Sequence, residues 1–395
     1  MMAGWREYTV ADVISAVIDY RGKTPKKLGG EWSDSGYRAL SAKNIKMGKI
    51  VQLDSIRYVS EEMYRCWMKE EVQKEDILIT SEAPFGQIYY WDSDEKIVLS
   101  QRLFAVRINE LFYPKYIYFY MTSSFFQAEL DGRATGTTVV GLRQPELLKC
   151  KIFAPEYQEQ KRIADILWCL ERKVNNNEAI NDNLQQQAFA LFDQLMLDAN
   201  GSKCPVSEIA YLNPKRPLSK NQVARYIDMS QLSTSGAFPS GWEMKPFNGG
   251  MRFTNGDTIL ARITPCLENG KTAYINFLDD KEIAFGSTEY IVLSPKENVP
   301  PEYLYCLARY PSFVDYAVKN MNGSSGRQRV SADTIGQFII NCPNKDALMN
   351  FGNVAFALFM KMRSNSLENI RLASLRDALL PKLISGEIDV SSLDI

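Results

Sequence analysis

Two loops carry the residue types from which contacts to phosphate or to base edges are built. RATGTTVVGLR (Arg133 to Arg143) and NGSSGRQRVS (Asn322 to Ser331) are both rich in glycine, serine and threonine, and both contain arginine. Hydroxyls and backbone N–H groups in such loops reach phosphate oxygens, and a guanidinium can fork onto guanine O6 and N7 in the major groove. The candidates are Arg133, Thr135, Thr137, Thr138 and Arg143 in the first loop, and Ser324, Ser325, Arg327 and Arg329 in the second. Two cationic stretches add phosphate contacts: RGKTPKK supplies Arg21, Lys23, Lys26 and Lys27, and SAKNIKMGK supplies Lys43 and Lys46. Arg262 and Lys271 bound the segment RITPCLENGK, in which Asn269-Gly270 reads more readily as a tight turn than as a base reader. Each candidate has an ordinary counterpart, since charge runs are mostly solvated faces and Glu289 can serve as the structural partner of an arginine. Tyr116, Tyr118, Phe119 and Tyr120 read as core.

Other chemistries find less support. The chain contains no histidine, which removes Ser-His-Asp and Cys-His nucleophiles and every His-based metal site. Its seven cysteines are scattered without a CxxC pair, so the expectation is reduced, mostly buried thiols, with neither a zinc site nor a disulfide framework. Asp228, Glu243 and Lys245 satisfy the loose D…ExK pattern of metal-dependent nucleases, a pattern permissive enough to arise by chance at this length. No GxxxxGK[ST], GxGxxG, NPPF or DPPY stretch is present. No apolar run approaches twenty residues and the start lacks a secretory pattern, so a cytoplasmic protein with no membrane partner is expected. With a net charge of −1, any nucleic-acid surface must be local.

The loops sit in a chain written twice. Gly256 to Pro295 parallels Glu75 to Asn109, and each copy runs Asp, a short apolar strand, a turn with Pro and Gly, then further strands. PKYIYFYM (Pro114 to Met121) matches PEYLYCLA (Pro301 to Ala308), each a helix start with Pro in the first turn. The copies close at Ala154-Pro155 and Cys342-Pro343, each followed by a long helical pattern. In the first pattern, Ile163, Leu167, Leu170, Val174, Leu184, Ala188, Leu191 and Leu195 form a heptad seam, with Asn177 and Asn181 at its two remaining steps. The second pattern places Asn365 and Asn369 at the matching steps.

Asparagine on an apolar seam fixes register, because in a slipped alignment its amide would be buried without a partner. Both an antiparallel pairing (Asn177 with Asn369, Asn181 with Asn365) and a parallel one satisfy the amides. Topology favours the antiparallel choice, with Leu170 opposite Arg376 as its weak layer. The expected fold is α+β: two similar mixed α/β units related by a pseudo-two-fold and separated by two long helices forming an antiparallel coiled coil. The seam of about 33 residues would span about 50 Å, more than one turn of B-DNA, which suits a ruler between two sites.

In GDTILARITPCLENGK, GSTEYIVL, LSQRLFAV, APEYQEQKRIADIL and the ending LRDALLPKLISGEID, the chain resembles the specificity subunits of type I restriction–modification enzymes over nearly its whole length. The resemblance implies target recognition domains at 1–154 and 198–342, a central conserved helix at 155–197, and a C-terminal conserved helix and tail at 343–395. It further implies a non-catalytic protein that reads a split, asymmetric site in double-stranded DNA. The implied partners are two methyltransferase subunits and motor-nuclease subunits. No cofactor is expected on this chain, while the partners would use S-adenosylmethionine, ATP and Mg²⁺. The Glu159-Gln160 helix entry has no counterpart in CPNKDALMNFGN, so equivalent docking by both helices does not follow. The rival readings are a two-lobed protein–protein adaptor without DNA specificity and the nuclease built on Asp228, Glu243 and Lys245.

Overall fold

A computed structural model of the chain describes residues 4–135, 140–197, 202–324 and 326–391. Contacts divide the chain into two units, Met1–Arg172 with Ser374–Ile395, and Lys173–Ala373, so each long helix contributes to both. The units share one plan. In the first, the strands Ile14–Asp19, Leu103–Ile108, Ile77–Thr80 and Ile88–Tyr90 form an antiparallel sheet in that spatial order. In the second, Ala210–Leu212, Tyr290–Pro295, Thr258–Ala261 and Thr272–Tyr274 repeat it.

A second sheet accompanies each, three-stranded in the first unit and four-stranded in the second. The strand Tyr37–Leu40 runs antiparallel to Arg57–Val59 and parallel to Val98–Leu99, and Val223–Ile227 runs antiparallel to Glu243–Pro246 and parallel to Ala284–Gly286. A two-stranded ribbon ties the ends of each unit, Arg6–Thr9 on Lys151–Ala154 and Lys203–Pro205 on Ile339–Asn341. The inner strands ILIT and TILA are buried at every position, the signature of strands covered on both faces. The helices Pro114–Thr122 and Pro301–Arg309 start with proline at the first turn, and Tyr116 to Met121 are all buried, including the four aromatics assigned to the core.

The ribbon of the second unit holds a correction. Cys204 and Cys342 form a disulfide with a Cα–Cα distance of 6.0 Å, against the expectation of reduced thiols throughout. Their 138-residue separation gives no sequence cue, because only the pairing of the unit's first and last strands brings them together. Cys66 and Cys169 are exposed, whereas Cys150 and Cys306 are buried.

The central helix is Tyr157–Leu197 and the C-terminal helix is Lys345–Ile384. Within the second unit they run antiparallel. Asn177 Nδ2 donates to Asn369 Oδ1 at 2.8 Å, and Asn365 Nδ2 donates to Asn181 Oδ1 at 2.9 Å. Asn177 and Asn365 are each 1% exposed, so these amides lie on the seam as the heptad spacing requires. Glu368 accepts a further bond from Asn177, and Ser366 Oγ accepts one from Asn181. Leu184, Ala188, Leu358 and Met362 continue the seam in the same apolar cluster. In the first unit, the weak layer is relieved by charge: Arg376 lies 3.7 Å from Glu171, whose carboxyl also accepts from Tyr118 Oη at 3.3 Å. Burial pushes that carboxyl up despite both partners. Gln160 is buried and caps the neighbouring helix, its Oε1 accepting from the Tyr113 N–H at 2.9 Å, which gives the Glu159-Gln160 entry a local structural role. No helix among the described residues is long and apolar enough to cross a membrane.

Candidate nucleic-acid interface

In the first unit, four segments converge on an open hollow of about 930 Å³. Arg21, Thr24 and Lys27 line one side, Gln101 and Arg102 another, and Thr135 and Arg143 a third. Local chemistry fixes the cationic segment. Thr24 caps the short helix Pro25–Leu28, and Gly29, at φ +83°, closes it. Arg21 is pinned to Asp19 by Nε at 2.9 Å, stacks on Phe104 at 4.8 Å, and donates to the Leu142 carbonyl at 3.3 Å, joining this segment to the arginine loop. Lys23 donates to the Trp67 carbonyl at 3.4 Å over the Tyr20 ring, and Lys27 to the Gly22 carbonyl at 2.7 Å. Lys26 is exposed without a partner among the described residues.

A second hollow of about 250 Å³ adjoins the first, and Gln101 and Arg102 line both. It also takes in Lys43, Trp32 and Arg57, the last held over the Trp32 ring at 5.2 Å. Lys46, exposed on the hairpin Ile45–Lys46/Lys49–Ile50, lines neither hollow. Lys43 and Lys46 are thus unequal candidates despite their nearness in sequence.

The first arginine loop separates its two ends. Arg133 is half-buried and bound to Glu129 at 2.8 Å, with Glu146 at 3.6 Å, which makes it an internal strut. Arg143 is exposed at the start of the helix Gln144–Leu148 and forms no ion pair among the described residues. Thr135 and Gly141 close the loop by reciprocal backbone bonds of 3.0 and 2.9 Å. Thr137 and Thr138 lie outside the described residues, as does Ser325.

The second unit places its loop in the same way and uses it differently. Asn322 and Arg329 form the equivalent reciprocal pair, at 2.9 Å in both directions. Arg329 forks onto Glu289, with Nε 2.9 Å from Oε2 and Nη2 2.8 Å from Oε1, and this bond holds the Glu289 carboxyl below its usual range. Lys271 donates to the Met229 carbonyl at 2.8 Å, and the buried Arg262 Nε has no hydrogen-bond partner among the described residues. Asn269-Gly270 is a turn, with Gly270 at φ +70° and its carbonyl held by Arg309. Arg327 and Ser324 remain exposed.

Asp228, Glu243 and Lys245 gather about Tyr226, but their polar groups are spent on local bonds. Asp228 caps the turn Met229–Gln231, accepting from the Ser230 N–H at 2.9 Å and Tyr226 Oη at 3.2 Å. Lys245 instead pairs with Glu243 at 2.8 Å. No cluster of three His, Cys, Asp or Glu side chains fit for a metal occurs among the described residues.

The pair Gln101-Arg102, within LSQRLFAV, carries no loop motif of its own. Its signal is three consecutive polar residues inside an otherwise apolar strand pair. Arg102 adopts φ +62°, a left-handed conformation that costs a non-glycine residue about 1–2 kcal/mol. Backbone bonds hold it there, its carbonyl accepting from the Ser81 N–H at 2.9 Å and that of Gln101 from the Ala42 N–H at 3.0 Å.

Residues 2–186 match the model of the type I restriction modification DNA specificity domain. The HindI specificity subunit of Haemophilus influenzae is 24% identical, over 81% of this chain and 88% of its own length. In sequence the chain is similar to type I restriction enzyme specificity subunits over most of its length. The MjaIX specificity subunit of Methanocaldococcus jannaschii is 23% identical, over 81% of this chain and 79% of its own. The fold matches a solved type I restriction–modification S subunit from M. genitalium, with TM-score 0.59, 17% identity and 96% of each chain covered. The family model thus covers the first unit and the start of the central helix, and the fold likeness extends over both units.

Proposed function

We propose that the chain is a non-catalytic subunit that reads a split, asymmetric site in double-stranded DNA, one half with each unit. The observation that carries this reading is a duplicated scaffold with unlike polar groups at the same turns. Gln101-Arg102 in the first unit falls where the second has Thr288-Glu289, each between the matched strands of its unit. One scaffold presenting two side-chain sets suits two different half-sites, because base edges are told apart by donor and acceptor pattern. Affinity rests on phosphate contacts, for which the exposed Lys26, Lys43, Lys46, Arg143 and Arg327 are the foremost candidates, and it falls steeply with salt.

Catalysis belongs to partners. Methyltransferase subunits dock on the long helices and motor-nuclease subunits complete the assembly in the cytoplasm, bringing S-adenosylmethionine, ATP and Mg²⁺ to their own sites. Met349 and Phe356, seven residues apart on the C-terminal helix and 44% and 55% exposed, support the docking reading, since an apolar stripe on a helix is otherwise costly in water. The four asparagines fix the register of the helices that carry this face. Selection of binders from random duplex pools by electrophoresis, with and without methyltransferase subunits, tests the reading. Enrichment of a bipartite sequence is expected, and a pool that stays random in both arms rules it out.

A further inference from the structure

We propose that the Gln101-Arg102 turn is the base-reading element of the first unit, with the Gln101 amide reading an adenine and Arg102 a neighbouring guanine. This inference rests on the DNA reading above and goes beyond it by naming the residues and the bases.

Three observations support it. The turn forms the ridge shared by the two hollows, so it is the part of the site flanked on both sides by open space and by cations, Arg143 and Lys27 in one hollow and Lys43 and Arg57 in the other. Its backbone is pinned in the left-handed conformation at Arg102 by bonds from Ser81 and Ala42, so the two side chains leave a rigid base. A strained position over-determined by its surroundings is a recurrent mark of a functional site, and rigid presentation is what base readout needs. Third, the side chains are available. The Gln101 amide forms no hydrogen bond among the described residues and is exposed. Arg102 is half-exposed and ion-paired through Nε to Glu82 Oε1 at 2.9 Å. An arginine oriented in this way keeps its terminal amino groups for a second acceptor, and Glu82 removes the rotamer freedom that binding would otherwise have to freeze.

The second unit provides the contrast. Glu289, at the position of Arg102, is consumed by the fork from Arg329 and does not adopt a left-handed backbone. Thr288 replaces the amide of Gln101 with a hydroxyl. A glutamine presents an acceptor and a donor matched to adenine N6 and N7, and arginine presents two donors matched to guanine O6 and N7. Neither match is available from threonine and a neutralised glutamate, so the inference is confined to the first half-site.

The test is a binding selection with the full-length chain on randomised bipartite duplexes at low salt, sequenced for wild type, Gln101→Ala, Gln101→Glu and Arg102→Ala. Thermal melts show whether each variant is folded. The expected result is loss of discrimination at one base pair of one half-site, on the order of 10- to 100-fold, with the other half-site unchanged. Gln101→Glu should move the preference at that pair toward cytosine, whose N4 amino group donates to a carboxylate. A folded Gln101→Ala and Arg102→Ala that retain the whole wild-type consensus, or that weaken every position equally, overturn the proposal while leaving the DNA reading standing. A wild-type chain that enriches no sequence, either alone or with methyltransferase subunits, overturns the DNA reading, and this assignment with it.

Discussion

The two units bury the same aspartate and neutralise it from different places. Asp76 and Asp257 each precede the buried inner strand and are 1% exposed. In the first unit Arg107, on the adjacent strand, binds Asp76 at 2.9 Å. In the second that position is Ser294, and Arg216 comes in from a loop to bind Asp257 at 2.6 Å, also donating to Ser294 Oγ at 3.1 Å. A second exchange follows the same logic. Tyr90 Oη donates to Glu75 at 3.2 Å, whereas its counterpart Tyr274 donates to the buried Glu302 at 2.9 Å because Gly256 stands where Glu75 would be. The lesson is that the scaffold constrains which buried groups must be satisfied but not which residue satisfies them. The chain can therefore diverge between copies at the turns that face outward without disturbing the sheets beneath.

The largest test of this comparison removes the arginines. Arg216→Ala should destabilise the second unit by about 3–5 kcal/mol, because a buried carboxylate is left without its cation, and Arg107→Ala should do the same to the first. Calorimetry with hydrogen exchange assigns each loss to its unit. If the two solutions are interchangeable, adding Ser294→Arg to Arg216→Ala restores most of the stability, and failure of that rescue would show that the loop carries a role of its own.

The disulfide is the next asymmetry. Cys204→Ser should cost the second unit about 2–4 kcal/mol under oxidising conditions and nothing under reducing ones, with the first unit's melting unchanged in both. Equal melting of wild type and variant in oxidising buffer would remove the bond from the stability of this unit.

The asparagine belt makes a smaller and more pointed prediction. Leucine at Asn181 alone should destabilise by about 1–3 kcal/mol, because Asn365, 1% exposed, loses the acceptor of its amide. Leucine at all four positions should instead raise the melting temperature, since no amide is left buried, while admitting alternative registers visible by cross-linking. Should the single change stabilise, the belt is not the register device.

Glu302 gives the finest effect. Burial pushes its carboxyl up, with the Tyr274 hydrogen bond opposing. A raised acid binds its proton more tightly in the folded state, so the ionised form costs stability above the folded value and the cost vanishes below the unfolded one, near 4.5. Glu302→Gln should therefore stabilise the second unit at neutral pH, on the order of 1 kcal/mol, with the advantage fading as pH falls through the acidic range. In the first unit the matching residue is Lys115, which lies over the Trp168 ring at 4.7 Å.

Much of this molecule follows from the chain read alone. Duplication, strand runs such as ILIT and TILA, proline at two helix starts and the heptad spacing with asparagine at fixed steps depend on local periodicity, which a sequence displays directly. The cationic candidates were legible as residue types, and their division into struts and free groups was not. Arg133 and Arg143 are ten residues apart in one loop, yet one is held by Glu129 and the other is open. That difference depends on which acidic side chain folding brings within reach. Tertiary structure alone paired Cys204 with Cys342 across 138 residues, set Arg216 on Asp257, and raised Gln101-Arg102 to a ridge between two hollows. Each of these joins residues distant in sequence, where local pattern carries no information and only the closing of the sheets decides.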